Sequence, residues 1–159
     1  HALRSGRQSA CNPWTMAALM STQEIQLPRK LTLQLLHLAQ SSPDQEICGL
    51  LGANSQGLAV NCYPISNQAK QPNNRYQLDE QQQIAAFKLM RERQENLFAI
   101  YHSHPSAPAE PSATDIELAS YPDAAHLIIS LNTKGVLEIR AFRIAEHKVA
   151  ELGLSLIEA

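Results

Sequence analysis

Cysteine is scarce in this chain of 159 residues, with only Cys11, Cys48 and Cys62. An odd number without a CxxC unit makes no disulfide framework, and a reducing, cytoplasmic setting is the expectation. Long apolar runs are also missing, so no segment reads as a transmembrane helix. Residues 1–20 lack the uninterrupted apolar core of a signal peptide. Charge of one sign is lacking too: 13 Lys and Arg are scattered against 15 Asp and Glu, for a net charge of −2. Without a basic face, nucleic-acid binding has no support. The HExxH pattern is absent, as is the deaminase pattern of His-x-Glu followed by Pro-Cys-x-x-Cys.

What is present suffices for one domain with a proper core, at 44% hydrophobic composition. Residues 1–19 show no period and precede Met20, a natural start. They read as a leader, a cloning remnant or a flexible extension, and residues 20–159 as the domain. From Pro28 the pattern is helical, with Leu31, Leu35, Leu38 and Ala39 at three- and four-residue steps as far as Ser41-Ser42. Pro43 disfavours helical geometry before it. Glu46 to Gly52 reads as a buried strand with an unusual glutamate at its entry, since glutamates are ordinarily solvated. Asn54 to Gly57 turns this strand into a second, Leu58 to Ile65.

The polar stretch Ser66 to Arg75 is expected as a loop at the rim of a site, and Asp79 as the N-cap of a helix reaching about Gln94. Ile84, Phe87, Leu89 and Met90 would form its apolar face. Leu97 to Tyr101 reads as a central strand and Ala113 to Ser120 as a third helix, capped by Ser112 or Thr114. Then come an apolar strand from His126 to Leu131, a turn at Asn132 to Gly135, and an alternating strand from Val136 to Ile144. An edge strand follows between His147 and Ile157. The expectation is a mixed α/β domain, mainly an antiparallel sheet with about three helices.

The chemistry gathers at the end of the central strand. His102 and His104 alternate along it and so point to one side. A stiff loop with Pro105, Pro108 and Pro111 then leads to Asp115 in the first helical turn. Two imidazoles and one carboxylate leave a fourth metal position to water, the catalytic arrangement, in which a bound water's pKa falls to about 7. A proton carrier outside the metal shell is still needed. Glu46 is the best candidate, while Asp44, Asp79 and Glu110 fall in a turn, a helix cap and the loop. His37 and His126 have no partner at ligand spacing and read as structural, as do Ser103 and Ser106. Cys48 reads as a small buried residue.

A lone His-x-His is weak, but here it stands in a larger pattern. Glu46 comes first, then His102-Ser103-His104-Pro105, then Ser112-Ala113-Thr114-Asp115, with Asp115 eleven positions after His104. This resembles the JAMM (MPN+) metalloprotease family over residues 28–145 in element order. Amidohydrolase barrels also use His-x-His, but a barrel of about 250 residues does not fit this chain.

The resemblance implies a single MPN-type domain holding one zinc ion through His102, His104 and Asp115. It implies that Glu46 activates water and protonates the leaving amine, and that Ser112 hydrogen-bonds the oxyanion. A helix cap is the plain alternative for Ser112. The implied reaction is hydrolysis of a peptide or isopeptide bond after the C-terminal Gly-Gly of a small β-grasp partner. Minimal loops point to a stand-alone prokaryotic type, with a sulfur carrier protein in cysteine synthesis or a ubiquitin-like conjugate as substrate. The competing reading is an inactive MPN scaffold that binds partner proteins. A homodimer is compatible with either. The mechanism requires the Glu46 strand to lie beside the His102 strand.

Overall fold

The computed structural model describes residues 23–132 and 137–159. In chain order the elements are β1 (Glu24–Pro28), α1 (Arg29–Gln40), β2 (Cys48–Ala53), β3 (Ala59–Ile65), α2 (Glu80–Glu92), β4 (Asn96–His104), α3 (Ala113–Leu118), β5 (Ala125–Ser130), β6 (Glu138–Ala145) and β7 (Lys148–Ile157). The strands form one sheet of seven in the order β1-β7-β6-β5-β4-β2-β3. Only β1/β7 and β4/β5 are parallel. The mixed α/β, mostly antiparallel architecture is the expected one. No described helix is long and apolar enough to cross a membrane.

Alternation along β4 gives the sheet two different faces. Ala99 and Tyr101 point to the side covered by α1, where they join Leu31, Leu35, Ala39, Leu51, Leu127 and Ile129 in one core cluster. Ile100 points to the other side and packs with Leu50, Tyr63, Ala86 and Met90 beneath α2. Farther across that second face, Ile128, Phe142 and Ile144 form a third cluster, against which Ile116 of α3 packs. Burying a large aliphatic side chain contributes about 1.5–3 kcal/mol, so these clusters carry the fold. Tyr101 fits because its cross-strand partner is Gly49, where a Cβ would collide with the tyrosine ring.

Four expectations need correction. Glu24–Pro28 forms a strand that was not foreseen, pairing in parallel with β7 from Glu24↔Gly153 to Pro28↔Ile157. Consequently β7 is not an edge strand, since β1 covers it. The strand after Glu46 starts at Cys48, two residues late. On α2 the buried residues are Ala86 and Met90, whereas Ile84 is 64% and Leu89 39% exposed. Ile84 lies two positions from Ala86, about 200° around the helix, so it must face away. From Thr133 on, the turn expected at Asn132–Gly135 lies outside the described residues, as do residues 1–19.

The parallel pair β4/β5 positions the site. Parallel neighbours require a crossover connection, and here it is the proline loop followed by α3. That connection leaves the carboxyl end of β4, where His102 and His104 stand, and α3 returns across it.

Candidate active site

His102 and His104 are 1% and 3% exposed at the end of β4. Their Nε2 atoms lie 3.1 Å apart. Asp115 Oδ2 is 3.1 Å from the first and 3.2 Å from the second. Ligands arranged tetrahedrally around an ion with bonds of about 2.0–2.1 Å stand about 3.3 Å apart, so this triangle fits three corners of such a site. Two nitrogens and one oxygen, all buried or nearly so, are an appropriate donor set. Glu46, His102 and His104 also bring donor atoms within 4.8 Å of one another.

Each donor is held from behind. His104 Nδ1 lies 2.7 Å from the Pro108 carbonyl and donates to it, leaving the Nε2 lone pair facing Asp115. Tyr76 stacks on the His102 ring, with centroids 4.3 Å apart and planes 21° from parallel. Asp115 is aimed by a capping box: its backbone N–H donates to Ser112 Oγ at 3.0 Å, and its Oδ2 accepts the Ser112 N–H at 2.9 Å. Thus Ser112 does cap the helix, and its own hydroxyl proton stays free to donate elsewhere.

Glu46 stands two residues before β2, which pairs antiparallel with β4 in the register Cys48↔His102. Its backbone is pinned on both sides. The Glu46 N–H donates to the Pro72 carbonyl at 2.7 Å, and Asn67 Nδ2 donates to the Glu46 carbonyl at 3.0 Å. Next to it, the Ile47 N–H donates to Ser103 Oγ at 2.9 Å, and the Ser103 N–H donates to the Ile47 carbonyl at 3.0 Å. The carboxylate itself is left loose: Glu46 is 5% exposed, and its Oε1 is buried without a hydrogen-bond partner.

The electrostatics follow from that geometry. Burial raises the Glu46 carboxyl to about 7, opposed by His104 and reinforced by Asp115. Burial also pushes Asp115 up, but hydrogen bonds from His102 and His104 outweigh it and hold this carboxyl well below the usual range. Burial lowers His102 despite Asp115. For His104 burial acts downward, while Asp115 and the Pro108 carbonyl carry the net shift upward. Two carboxyls in one site are therefore driven apart, a familiar mark of acid-base chemistry.

The structure brings Glu46, His102, His104, Asp115 and Ser112 to one end of the sheet. It gives the other candidates different work. Asp79 caps α2 through the Gln82 N–H, Glu110 pairs with Arg140 at 3.3 Å, and Asp44 is exposed. His37 lies exposed on α1, and Ser106 is exposed in the loop. Burial pushes the Cys48 thiol up to about 12, an inert group lying 3.4 Å from the Ile65 carbonyl. Sequence reasoning missed Tyr76, Asn67, Pro72 and the clamp made by Ser103. Only Ser103 carried a signal: between two histidines, alternation turns it to the opposite face. A cleft of about 510 Å³ opens beside the site, lined by Arg75, Tyr76, Leu78, Thr114, Asp115 and Tyr121, with His126 in its floor.

A strand-borne histidine pair, a helix-borne aspartate and a buried carboxyl just before the adjacent strand form a group that could hold a metal ion beside an acid-base carboxyl. Residues 28–145 match the family of prokaryotic homologs of the JAB domain. The chain belongs to that family, and with it to the peptidases of the JAMM type. It is 32% identical over 123 residues to the CysO-cysteine peptidase of Mycobacterium tuberculosis, covering 77% of this chain and 83% of that one. To the desampylase of Haloferax volcanii it is 36% identical over 93 residues, 58% of this chain and 67% of the relative. The solution structure of a Desulfitobacterium hafniense protein matches with a TM-score of 0.75 at 33% identity, over 84% of this chain and 93% of the other.

Proposed function

We propose that this chain is a zinc-dependent peptidase that cleaves the bond following the C-terminal Gly-Gly of a small sulfur-carrier or ubiquitin-like protein in the cytoplasm. The observation that carries the reading is the Glu46 carboxylate. It is buried and unpartnered at Oε1, against the triangle of His102, His104 and Asp115. A buried carboxyl with no partner is costly, and such expense concentrates where chemistry needs it.

His102, His104 and Asp115 would hold the ion, whose bound charge would polarise a carbonyl and acidify a water molecule. Glu46 takes the proton from the attacking water and returns it to the leaving amine, a role suited to a buried carboxyl with no hydrogen-bond partner at Oε1. The Ser112 hydroxyl donates to the substrate carbonyl oxygen as negative charge develops on it. Tyr76 and the Pro108 carbonyl keep both imidazoles oriented. An extended tail lies in the cleft beside Asp115, where glycines allow the backbone to approach closely.

The carrier protein is favoured over a larger conjugate because the match to the CysO-cysteine peptidase spans more of this chain than the match to the desampylase. The test is to measure zinc per chain, then cleavage of a sulfur carrier protein extended past Gly-Gly by cysteine. The expected result is one zinc per chain, release of cysteine by the wild type, and none by Glu46→Gln. Zinc-loaded wild type that leaves every such extension intact would overturn the reading.

A further inference from the structure

Arg75 has no part in the chemistry proposed above, yet its position is fixed from both flanks of the site. It belongs to the polar loop between β3 and α2. Its N–H donates to the Gln71 carbonyl at 3.0 Å, and its carbonyl accepts Asn67 Nδ2 at 2.9 Å. The same Asn67 nitrogen donates to the Glu46 carbonyl at 3.0 Å, so one side-chain amide holds Arg75 and Glu46 side by side. From there the Arg75 side chain reaches the opposite wall, where Nη1 donates to Thr114 Oγ1 at 2.6 Å. Thr114 precedes Asp115 in the first turn of α3. The arginine therefore runs from beside Glu46 to beside Asp115.

Arg75 is exposed and lines the cleft together with Thr114 and Asp115. Among the described residues no carboxylate lies within ion-pair distance of it. A guanidinium carries five N–H donors in a planar fork, and the Thr114 hydroxyl uses one of them. The rest suit a carboxylate, which the fork can hold through two parallel hydrogen bonds. A cation at this point in a cleft is thus a receptor for an acidic group on whatever binds there.

The direction of the cleavage says which acidic group that is. Glu46 protonates the leaving amine, so the leaving residue lies on the Glu46 flank, where Arg75 stands. If that residue is the last of its chain, its carboxyl carbon is about 2.5 Å from the departing nitrogen. In a lysine conjugate the α-carboxyl stands at the far end of the side chain and is tied up in a peptide bond. Along α3 the lining continues from Thr114 through Leu118 to Tyr121, which leaves that length for the Gly-Gly tail. We propose that Arg75 is a specificity residue that pairs with the free α-carboxylate of a single leaving residue, so that the enzyme trims one C-terminal residue in preference to opening isopeptide conjugates. This rests on the peptidase reading above and chooses between the substrate classes it spans.

The test uses the zinc-loaded enzyme and two substrates: a sulfur carrier protein extended past Gly-Gly by cysteine, and the same carrier ending in cysteine amide. For the wild type, kcat/KM on the acid should exceed that on the amide by about tenfold to thirtyfold. In Arg75→Gln that ratio should fall to no more than about one-fifth of the wild-type ratio, which cancels any intrinsic difference between the two leaving amines. Arg75→Lys keeps the charge and loses the fork, so its ratio should fall between the two. A merely structural tie between the loop and α3 would slow both substrates together. An acid-to-amide ratio that is the same in wild type and Arg75→Gln would therefore overturn the role of Arg75 and leave the peptidase reading standing. So would a wild type that cleaves the two substrates alike. Failure of the zinc-loaded wild type to cleave either one would overturn both.

Discussion

The two faces of the central sheet obey opposite rules. Under α1 the interior is dry: Leu27, Leu35, Leu51, Tyr101, Leu127 and Ile129 are all fully buried. On the other face, between the clusters beneath α2 and α3, stand His102, His104, Glu46 and His126, all buried and three of them with an unpartnered atom. One strand, β4, supplies both faces, sending Ala99, Tyr101 and Ser103 one way and Ile100, His102 and His104 the other. Stability and chemistry are therefore separated by a single residue step. Ser103 is the link, a fully buried polar residue on the dry side whose hydroxyl clamps the Ile47 N–H beside Glu46.

That separation can be broken by mutation. The largest effect is expected from His104→Ala or Asp115→Ala: loss of bound metal by elemental analysis, and peptidase activity down at least about 10³-fold. Leu127→Ala on the dry face should instead cost about 2–5 kcal/mol of stability by denaturant titration. Activity per folded molecule should hardly change. A core substitution that abolished activity while leaving the protein folded would contradict the division.

Glu46→Gln comes next, with kcat reduced about 10²–10⁴-fold at unchanged metal content. The same variant tests what the buried carboxyl does to the fold. The Glu46 carboxyl rises from 4.5 to about 7 on folding, so between those values the native state binds the extra proton. The Glu46 contribution to the stability of the metal-free protein should therefore fall as pH rises from about 4.5 through 7, against the opposite contributions of His102 and His126, whose rings burial lowers. Thermal unfolding across that range should show wild type losing stability relative to Glu46→Gln as the pH rises.

Smaller effects sharpen the boundary. Ser112→Ala removes a cap contributing about 1 kcal/mol, and if it also removes the proposed oxyanion donor kcat should fall about 10²-fold. A change of only a few-fold would leave Ser112 as a cap alone. Ser103→Ala should cost about 1–2 kcal/mol and lower kcat several-fold with little change in KM, since it loosens Glu46 without touching the substrate cleft. A shift in KM instead would place its influence in the cleft.

Features made by neighbours in sequence were legible before the fold was known. Short apolar runs exposed β4 and β5, alternation exposed β6, and Asp79 marked the start of α2. The spacing of His102, His104, Ser112 and Asp115 outlined the site because these residues span one strand, one loop and one helical turn. What escaped depends on distant partners. Five residues of β1 carry little pattern, and their ladder is made with residues 153–157 at the other end of the chain. Tyr76 reaches His102, and Pro72 and Asn67 hold Glu46, only because the polar loop folds back over β2. The stripe on α2 was misjudged at Ile84 because hydrophobicity alone does not say which side meets the sheet.

The capping box of α3 has a thermodynamic corollary. This helix has six residues and none of them is buried, far short of what holds a helix together in isolation. Asp115 Oδ2, the atom that closes its first turn through the Ser112 N–H, is also the atom facing both imidazoles. A cation bound by the histidine pair would thus bear on the winding of that turn. On the proposed function, an ion held there would favour the wound form of the segment that walls the cleft.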